Sequence, residues 1–163
     1  MDSVDRVLEQ WAAERPGIDA SPMGVVGRVQ RACRLLDRGV SDRLAAHGLQ
    51  LWEFDILATL LRSGAPYRLS AGALVGAAMV TSGAITNRID RLVARGLVDR
   101  ETDPGNRRSV RITLTDAGRE LVDTALTDHV ANETDLLAGL TPKEQAQLAG
   151  LLRKLLLHLG DRP

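Results

Sequence analysis

The chain has 163 residues, a formal net charge of zero and one cysteine. This length predicts one domain with room for additional helices, and a single cysteine excludes an intramolecular disulfide framework. Aromatic residues make up only 2% of the chain, so we expect a core of aliphatic side chains, as in helical proteins. A zero net charge argues against a generally basic nucleic-acid-binding surface.

The first 46 residues predict two helices. Residues 2–15 form a short amphipathic pattern that includes Val7, Leu8 and Trp11. The second helix is expected to start at Ser21, as N-cap, with proline at the first helical position, and to end near residue 46. Its apolar stripe consists of Val26, Val29, Cys33, Leu36 and Val40. A thiol on such a stripe is expected to be buried and unreactive, which favours packing over redox sensing.

Two shorter helices are predicted next. Residues 51–61 form a compact apolar helix, and the turn-forming residues 62–66 close it. Residues 70–78 form a helix of small residues. Together with the helix that follows, it predicts a helix-turn-helix.

Residues 80–115 are the most informative stretch, and they begin with a helix. Apolar residues recur at three- to four-residue intervals at Ile85, Ile89 and Leu92. Thr81 or Ser82 can serve as its N-cap, and glycine at position 96 suits the left-handed residue that ends a helix. The opposite face carries side chains suited to bases and phosphates, namely Thr86, Asn87, Asp90, Arg91 and Arg95.

A β-hairpin, the wing, is predicted to follow this helix. Apolar residues alternate with polar ones at Val110, Ile112 and Leu114, and residues 103–106, Asp-Pro-Gly-Asn, form a strong turn signal. Arg107 and Arg108 then lie near the tip of the hairpin. Guanidinium groups at that place suit the narrow minor groove of DNA.

Charge is concentrated in the same stretch. Residues 80–115 contain seven arginines and four acids, a local net charge of +3, so the remainder carries −3. A focused basic patch on a neutral protein favours specific docking on DNA.

The C-terminal part predicts two further helices. Thr115 caps a helix that ends near residue 137, and Thr141, Pro142 and Glu144 form a capping-box pattern for the last one. The last helix carries a broad leucine stripe, Leu148, Leu151, Leu152, Leu155, Leu156 and Leu159. A lone terminal helix on a small domain cannot bury so broad a stripe, so we expect both termini to form a homodimer interface.

The predicted fold is therefore mainly α with a small β-hairpin wing: a winged helix-turn-helix with dimerisation helices at both ends. Residues 1–47 would contribute to dimerisation and a ligand pocket, residues 48–114 to DNA binding, and residues 115–163 to dimerisation. We expect no membrane span, because no apolar run is long enough, and a cytoplasmic protein, because the N-terminus lacks a signal sequence. The three scattered histidines predict no metal site, and no cofactor or catalytic motif is found.

These elements together resemble the MarR family of bacterial dimeric transcription regulators. Residues 83–100, GAITNRIDRLVARGLVDR, and residues 103–115, DPGNRRSVRITLT, carry the resemblance, which covers nearly the whole chain. Many relatives have an acid where this chain has Asn106, which leaves Asp103 to brace the wing arginines. The resemblance implies a homodimeric repressor on a pseudo-palindromic operator. Seven residues are predicted to contact double-stranded DNA: Thr81, Ser82, Thr86, Asn87, Arg91, Arg107 and Arg108.

A narrower resemblance concerns the urate-responsive branch of the family, which has an additional N-terminal helix. That branch has a ligand set matched here by Trp11, Asp55, Arg88 and Arg100. The match implies a small organic anion, a carboxylate or a urate-like compound, as effector. An indole offers a stacking face and a guanidinium a planar fork for the anion.

Other interpretations stay open at this point. By pattern alone, Trp11 is also typical of a core residue, Asp55 of a structural ion pair, and Arg88 and Arg100 of phosphate contacts or solvated charges. The chain could be a ligand-independent winged-helix DNA-binding module. It could also be the dimerisation part of an enzyme, although it contains no cofactor motif.

Overall fold

The computed structural model of the chain describes residues 1–77 and 85–161, and for Arg107 and Arg108 the backbone alone. Thr81 and Ser82, the predicted N-cap candidates and DNA contacts, lie outside these ranges. The helices are α1 (Ser3–Glu14), α2 (Ser21–Ala45), α3 (Leu51–Arg62), α4 (Ala71–Ala77), α5 (Ile85–Ala94), α6 (Asp116–Leu136) and α7 (Pro142–His158). The strands are β1 (Arg68–Ser70), β2 (Val98–Asp103) and β3 (Asn106–Leu114). The predicted mainly helical fold with a small hairpin wing is confirmed.

The chain divides into two compact units, Met1–Asp42 and Arg43–Pro163. In the first unit, Asp2 caps α1 in a capping box with Asp5. The guanidinium of Arg28 on α2 lies 2.9 Å from a carboxylate oxygen of Asp2 and 2.5 Å from one of Asp5. The pKa of both carboxyl groups is lowered, chiefly by a backbone N–H, that of Asp5 for Asp2 and that of Asp2 for Asp5, and also by Arg28. The Arg28 contacts tie the start of α1 to the first turns of α2.

Two expectations for α2 were wrong. Ser21 is the first residue of the helix rather than its N-cap, and its N–H donates to the Asp19 carboxylate at 2.9 Å, which lowers the pKa of Asp19. Cys33 is exposed rather than buried, as is Val26 on the same stripe. Val29 on the same stripe is half-buried and Val40 is buried, so a single described chain covers only part of the stripe.

The second unit has an aliphatic core at its centre. Here α3 packs against α6, with Ile56, Leu57 and Leu60 of α3 and Val122 and Ala125 of α6 fully buried. The residues of α6 that face inward recur at helical spacing, as expected for one face of a helix. The contact between α3 and α6 therefore forms the centre of the core of the second unit.

Within the described residues, three strands form one antiparallel sheet in the order β1-β3-β2. The β2–β3 hairpin is the predicted wing, and its register pairs Val98 with Leu114 and Asp103 with Asn106. Ile112 and Leu114 are buried on one face, as the alternation predicted. The short strand β1 was not predicted, because three residues are too few to show a two-residue period.

The end of α5 and the start of α6 are joined by a compact set of hydrogen bonds. Gly96 has φ +68° and ends α5 as predicted, with the N–H of Leu97 donating to the Leu92 carbonyl at 3.0 Å. Thr115, the predicted cap of α6, accepts from the Gly118 N–H at 3.0 Å and donates to the Gly96 carbonyl at 2.8 Å. The geometry of α5 relative to α6 therefore depends on this junction.

The last helix exposes its apolar side chains. Thr141, Pro142 and Glu144 form the predicted capping box, yet α7 contains no buried residue. Exposed leucines include Leu148, Leu151, Leu155, Leu156, Leu157 and Leu159. So broad an apolar surface on a single chain is typical of an interface.

Candidate nucleic-acid interface

The helix α5 presents a polar face to solvent. Ile85, Ile89 and Leu92 are buried at helical spacing, which fixes the inward face of the helix. Thr86 and Asn87, two predicted DNA contacts, are therefore exposed on the other side. Hydroxyl and amide groups at such positions can reach base edges and phosphates.

Two arginines of α5 lie over one indole. The guanidinium carbon of Arg88 is 5.4 Å from the centroid of Trp52, and that of Arg91 is 4.9 Å from it. Both distances are within the range of a cation–π interaction. Trp52 is half-buried in the first turn of α3, and its Nε1–H donates to the side-chain oxygen of Gln50 at 2.5 Å. The sequence patterns singled out Trp11 and missed Trp52, which is separated from α5 by more than thirty residues.

A third arginine anchors the end of α5 to α3. Arg95 lies 2.8 Å from Glu53, whose side chain is only 3% exposed. The same carboxylate accepts from the Gln50 N–H at 2.8 Å and so caps α3. The sequence pattern predicts Arg95 on the DNA-facing side of the helix, but in the structure its charge compensates a buried acid.

The predicted ligand residues are distributed over several elements. Asp55, Arg88 and Arg100 lie on α3, α5 and β2 of the second unit. Asp55 is half-buried with its Oδ2 shielded from solvent, whereas Arg100 pairs with Asp90 of α5 at 2.5 Å. Trp52 and Asp55 are three residues apart, so they share one face of α3.

Trp11 lies in the first unit, on α1, with 40% of its surface exposed. Its interpretation as a core residue therefore does not hold for the described single chain. A groove of about 450 Å³ lies between α1 and α2, and Trp11 is not among its lining residues. The groove is lined by Ser3, Val4, Val7, Pro22, Met23, Val26, Gly27, Gln30, Arg31 and Arg34.

The wing has a tight, ion-paired tip. Asp103 accepts from the Gly105 N–H at 2.8 Å and lies 2.7 Å from the guanidinium of Arg111 across the hairpin. Asp103 thus braces the wing as expected, and the arginine that it holds is Arg111. The backbones of Arg107 and Arg108 belong to β3 at the tip.

The pKa of the Asp103 carboxyl group is lowered from its ordinary 3.8, first by the Gly105 N–H and also by Arg111. Because the folded pKa is the lower one, the carboxylate stabilises the wing above pH 3.8, and this contribution is lost as the pH falls through the folded pKa. We predict that the Asp103 carboxyl carbon titrates by NMR with a midpoint below 3.8. In Arg111→Ala the midpoint should rise but stay below 3.8, because the Gly105 N–H remains. A wild-type midpoint at or above 3.8 would contradict the observed turn.

In residues 1–77 and 85–161, no group of three or more histidine, cysteine or acidic residues is arranged to hold a metal ion. Among the same residues, no helix is long and apolar enough to cross a membrane.

Comparison with known proteins identifies the family. A sequence model of the MarR family matches residues 47–109. The HTH-type transcriptional regulator PecS of Dickeya dadantii is 40% identical over 156 residues, which cover 96% of this chain and 94% of PecS. The chain belongs to the MarR family.

Solved structures of MarR-like regulators agree with this assignment. Sco3205, a MarR family regulator of Streptomyces coelicolor solved in complex with DNA, superposes with a TM-score of 0.79 at 25% identity, covering 88% of this chain and 91% of its own. BpsR of Bordetella bronchiseptica, whose DNA binding is regulated by 6-hydroxynicotinic acid, superposes with a TM-score of 0.73 at 28% identity, covering 80% of this chain and 91% of BpsR.

As a MarR family member, the chain is a DNA-binding transcription regulator. Its relatives are named transcriptional regulators rather than enzymes, which removes the interpretation as the dimerisation part of an enzyme.

Proposed function

We propose that this protein is a homodimeric repressor that leaves a pseudo-palindromic operator when a small organic anion binds. The observation that carries the DNA-binding half is the polar face of α5 beside the basic wing. Thr86, Asn87 and Arg91 are exposed on that helix, and the wing tip carries Arg107 and Arg108. We propose that α5, with Thr81 and Ser82 before it, reads the major groove, and that the wing reaches the minor groove.

The uncovered leucines of α7 support the homodimer. A second copy of the chain would bury these side chains, and at roughly 25 cal/mol per Å² of apolar surface such burial supplies the association energy. Two-fold symmetry would then set the α5 helices about one DNA turn apart, roughly 34 Å, which requires an operator with two half-sites.

An anionic effector is supported by the match of four residues to the urate-responsive branch and by the ligand regulation of BpsR. In this proposal Trp11 supplies a stacking face, Arg88 and Arg100 bind the anion, and Asp55 competes for the guanidinium charge. Because Arg88 lies on α5, binding there alters the helix that reads DNA. The anion releases DNA only if it binds the DNA-incompetent arrangement more tightly, by about 1–3 kcal/mol for ordinary coupling.

We predict that Arg108→Ala lowers the affinity for the protein's own upstream DNA by about tenfold, because one minor-groove guanidinium is lost per wing. Fluorescence anisotropy with a labelled duplex measures the affinity at several salt concentrations. Lys143→Ala removes one exposed positive charge outside the winged helix and should leave the affinity within about twofold. Equal affinities for wild type and Arg108→Ala would exclude a DNA contact by this residue.

We predict that Arg88→Ala raises the anion concentration needed for half-release of DNA by at least about tenfold, since the guanidinium is the main anchor of the anion. Trp11→Ala should give a smaller rise, whereas Trp11→Phe keeps a ring and should respond almost normally. The assay titrates urate, 6-hydroxynicotinic acid and benzoate against each variant at half-saturation of its DNA. A wild type released by none of them would favour a ligand-independent module, and normal release of both alanine variants would refute the pocket.

A further inference from the structure

We propose that Trp52 is a positioning residue that couples the anion site to the DNA-reading face. It would hold Arg91 in place for DNA and at the same time provide the resting position of Arg88. The anion-dependent half of this inference rests on the proposed function. The DNA-dependent half rests on the geometry of Trp52, on membership of the family and on the proposed contact of Arg91 with DNA.

The geometry has two parts. The guanidinium carbons of Arg88 and Arg91 lie 5.4 Å and 4.9 Å from the centroid of the same indole. They are three residues apart on α5, so their side chains project from one face of the helix. The indole itself is fixed, because its Nε1–H donates to Gln50 and its residue lies in the first turn of α3.

The body of α3 near Trp52 is firmly placed. Glu53, the next residue, is buried and paired with Arg95 at the end of α5. Phe54, the one after, is buried in contact with the ring of His129 on α6, with 4.5 Å between ring centroids. Trp52 therefore projects from a segment whose next two residues are buried and in contact with α5 and α6.

The two arginines have different tasks in the proposed function. Arg91 faces DNA, whereas Arg88 binds the effector. As long as Arg88 stays on the indole, the guanidinium groups of Arg88 and Arg91 are both held against α3. The helix α5 then keeps one arrangement. An anion that binds Arg88 must first remove it from the indole, because one guanidinium cannot satisfy both partners. Trp52 thus competes with the anion and supports DNA binding through the same ring.

This competition predicts opposite effects of one substitution. Trp52→Leu removes the π system but keeps an apolar side chain of moderate size. DNA affinity should fall about two- to fivefold, since Arg91 loses its support, and affinity for an anion should rise about two- to fivefold, since Arg88 is released from its competitor. A purely structural defect would lower both affinities. Trp52→Phe keeps an aromatic face and should give intermediate values.

The test uses the full-length protein. Anisotropy measures affinity for the upstream duplex, and calorimetry without DNA measures affinity for urate and 6-hydroxynicotinic acid. A double-mutant cycle compares Trp52→Leu in the wild-type and Arg91→Ala backgrounds. The proposal expects Trp52→Leu to have no further effect on DNA affinity once Arg91 is alanine. Equal losses in both backgrounds would overturn it. Thermal unfolding of each variant shows whether the fold is retained.

A spectroscopic readout needs neither DNA nor anion. The chain has two tryptophans, so in Trp11→Phe the emission comes from Trp52 alone. Adding Arg88→Ala or Arg91→Ala should change its intensity or wavelength, while the matched Lys143→Ala should not. Unchanged emission in both arginine variants would overturn the inference. Failure of wild type to bind any tested anion would instead count against the proposed effector, and the DNA cycle and the emission would still decide the role of Trp52.

Discussion

Gly118→Ala is expected to lower the free energy of unfolding by about 3 kcal/mol, the upper part of the usual cost of overpacking. A β-carbon at this position would lie 2.1 Å from the carbonyl oxygen of Leu97 and 3.1 Å from Cδ1 of Leu114. The first neighbour is backbone, so it cannot turn aside as a side chain can. The start of α6 must therefore move away from the end of α5, and Thr115 would lose its hydrogen bonds across the junction.

Thermal or urea unfolding measures this effect, with a decrease in Tm on the order of 10 °C for a chain of this size. Gly72→Ala is the matched control, because a β-carbon at Gly72 in α4 meets nothing within 4 Å. Alanine there should be neutral or stabilising by up to about 1 kcal/mol, as expected from helix propensity. If both variants unfolded like the wild type, the close approach of α6 to Leu97 would be refuted.

Arg95→Ala is expected to destabilise the protein by about 2–3 kcal/mol. Its partner Glu53 is buried and keeps only the Gln50 N–H once the guanidinium at 2.8 Å is gone. A buried carboxylate without a compensating charge is costly, and partial exposure of Arg95 keeps the expected value below the full range. Because this pair joins α5 to α3, DNA affinity should also fall.

A second variant distinguishes the cost of the uncompensated Glu53 charge from the cost of the packing that is lost with the Arg95 side chain. In the double variant Glu53→Gln, Arg95→Ala, the amide oxygen can still cap α3 while the buried charge is absent, so much of the stability should return. Arg38→Ala is the reference, since its pair with Asp42 is exposed at 3.8 Å and such pairs contribute about 0–1 kcal/mol. A loss no greater than in Arg38→Ala would contradict the importance of the buried pair.

Local signals made most elements of the fold predictable. The capping box at Thr141, the cap at Thr115 and the helix-ending Gly96 are each determined by neighbouring residues, and the structure contains all three. The wing turn was predictable for the same reason, because the Asp-Pro-Gly-Asn sequence favours a turn in any context. The strand β1 was not predictable from local signals, because it forms by pairing with β3, which is distant in the sequence.

The candidate site was less predictable, since its contacts join distant parts of the chain. Arg95 and Arg91 look alike on the polar face of α5, and only the fold shows that one meets buried Glu53 and the other Trp52. For Cys33, the sequence predicted burial that the structure does not show. Helical spacing identified an apolar stripe correctly, but spacing alone does not say what covers a stripe, and the thiol is exposed in the single chain.

The uncovered leucines of α7 have a consequence for every solution measurement on this protein. If a second copy covers them, as proposed, the folded protomer is stabilised by mass action, and its Tm rises with protein concentration. A DNA titration carried out far below the dimer dissociation constant would then report assembly together with DNA affinity. Dilution alone would act as an apparent release signal, and the cellular copy number of the regulator would set how much operator it occupies.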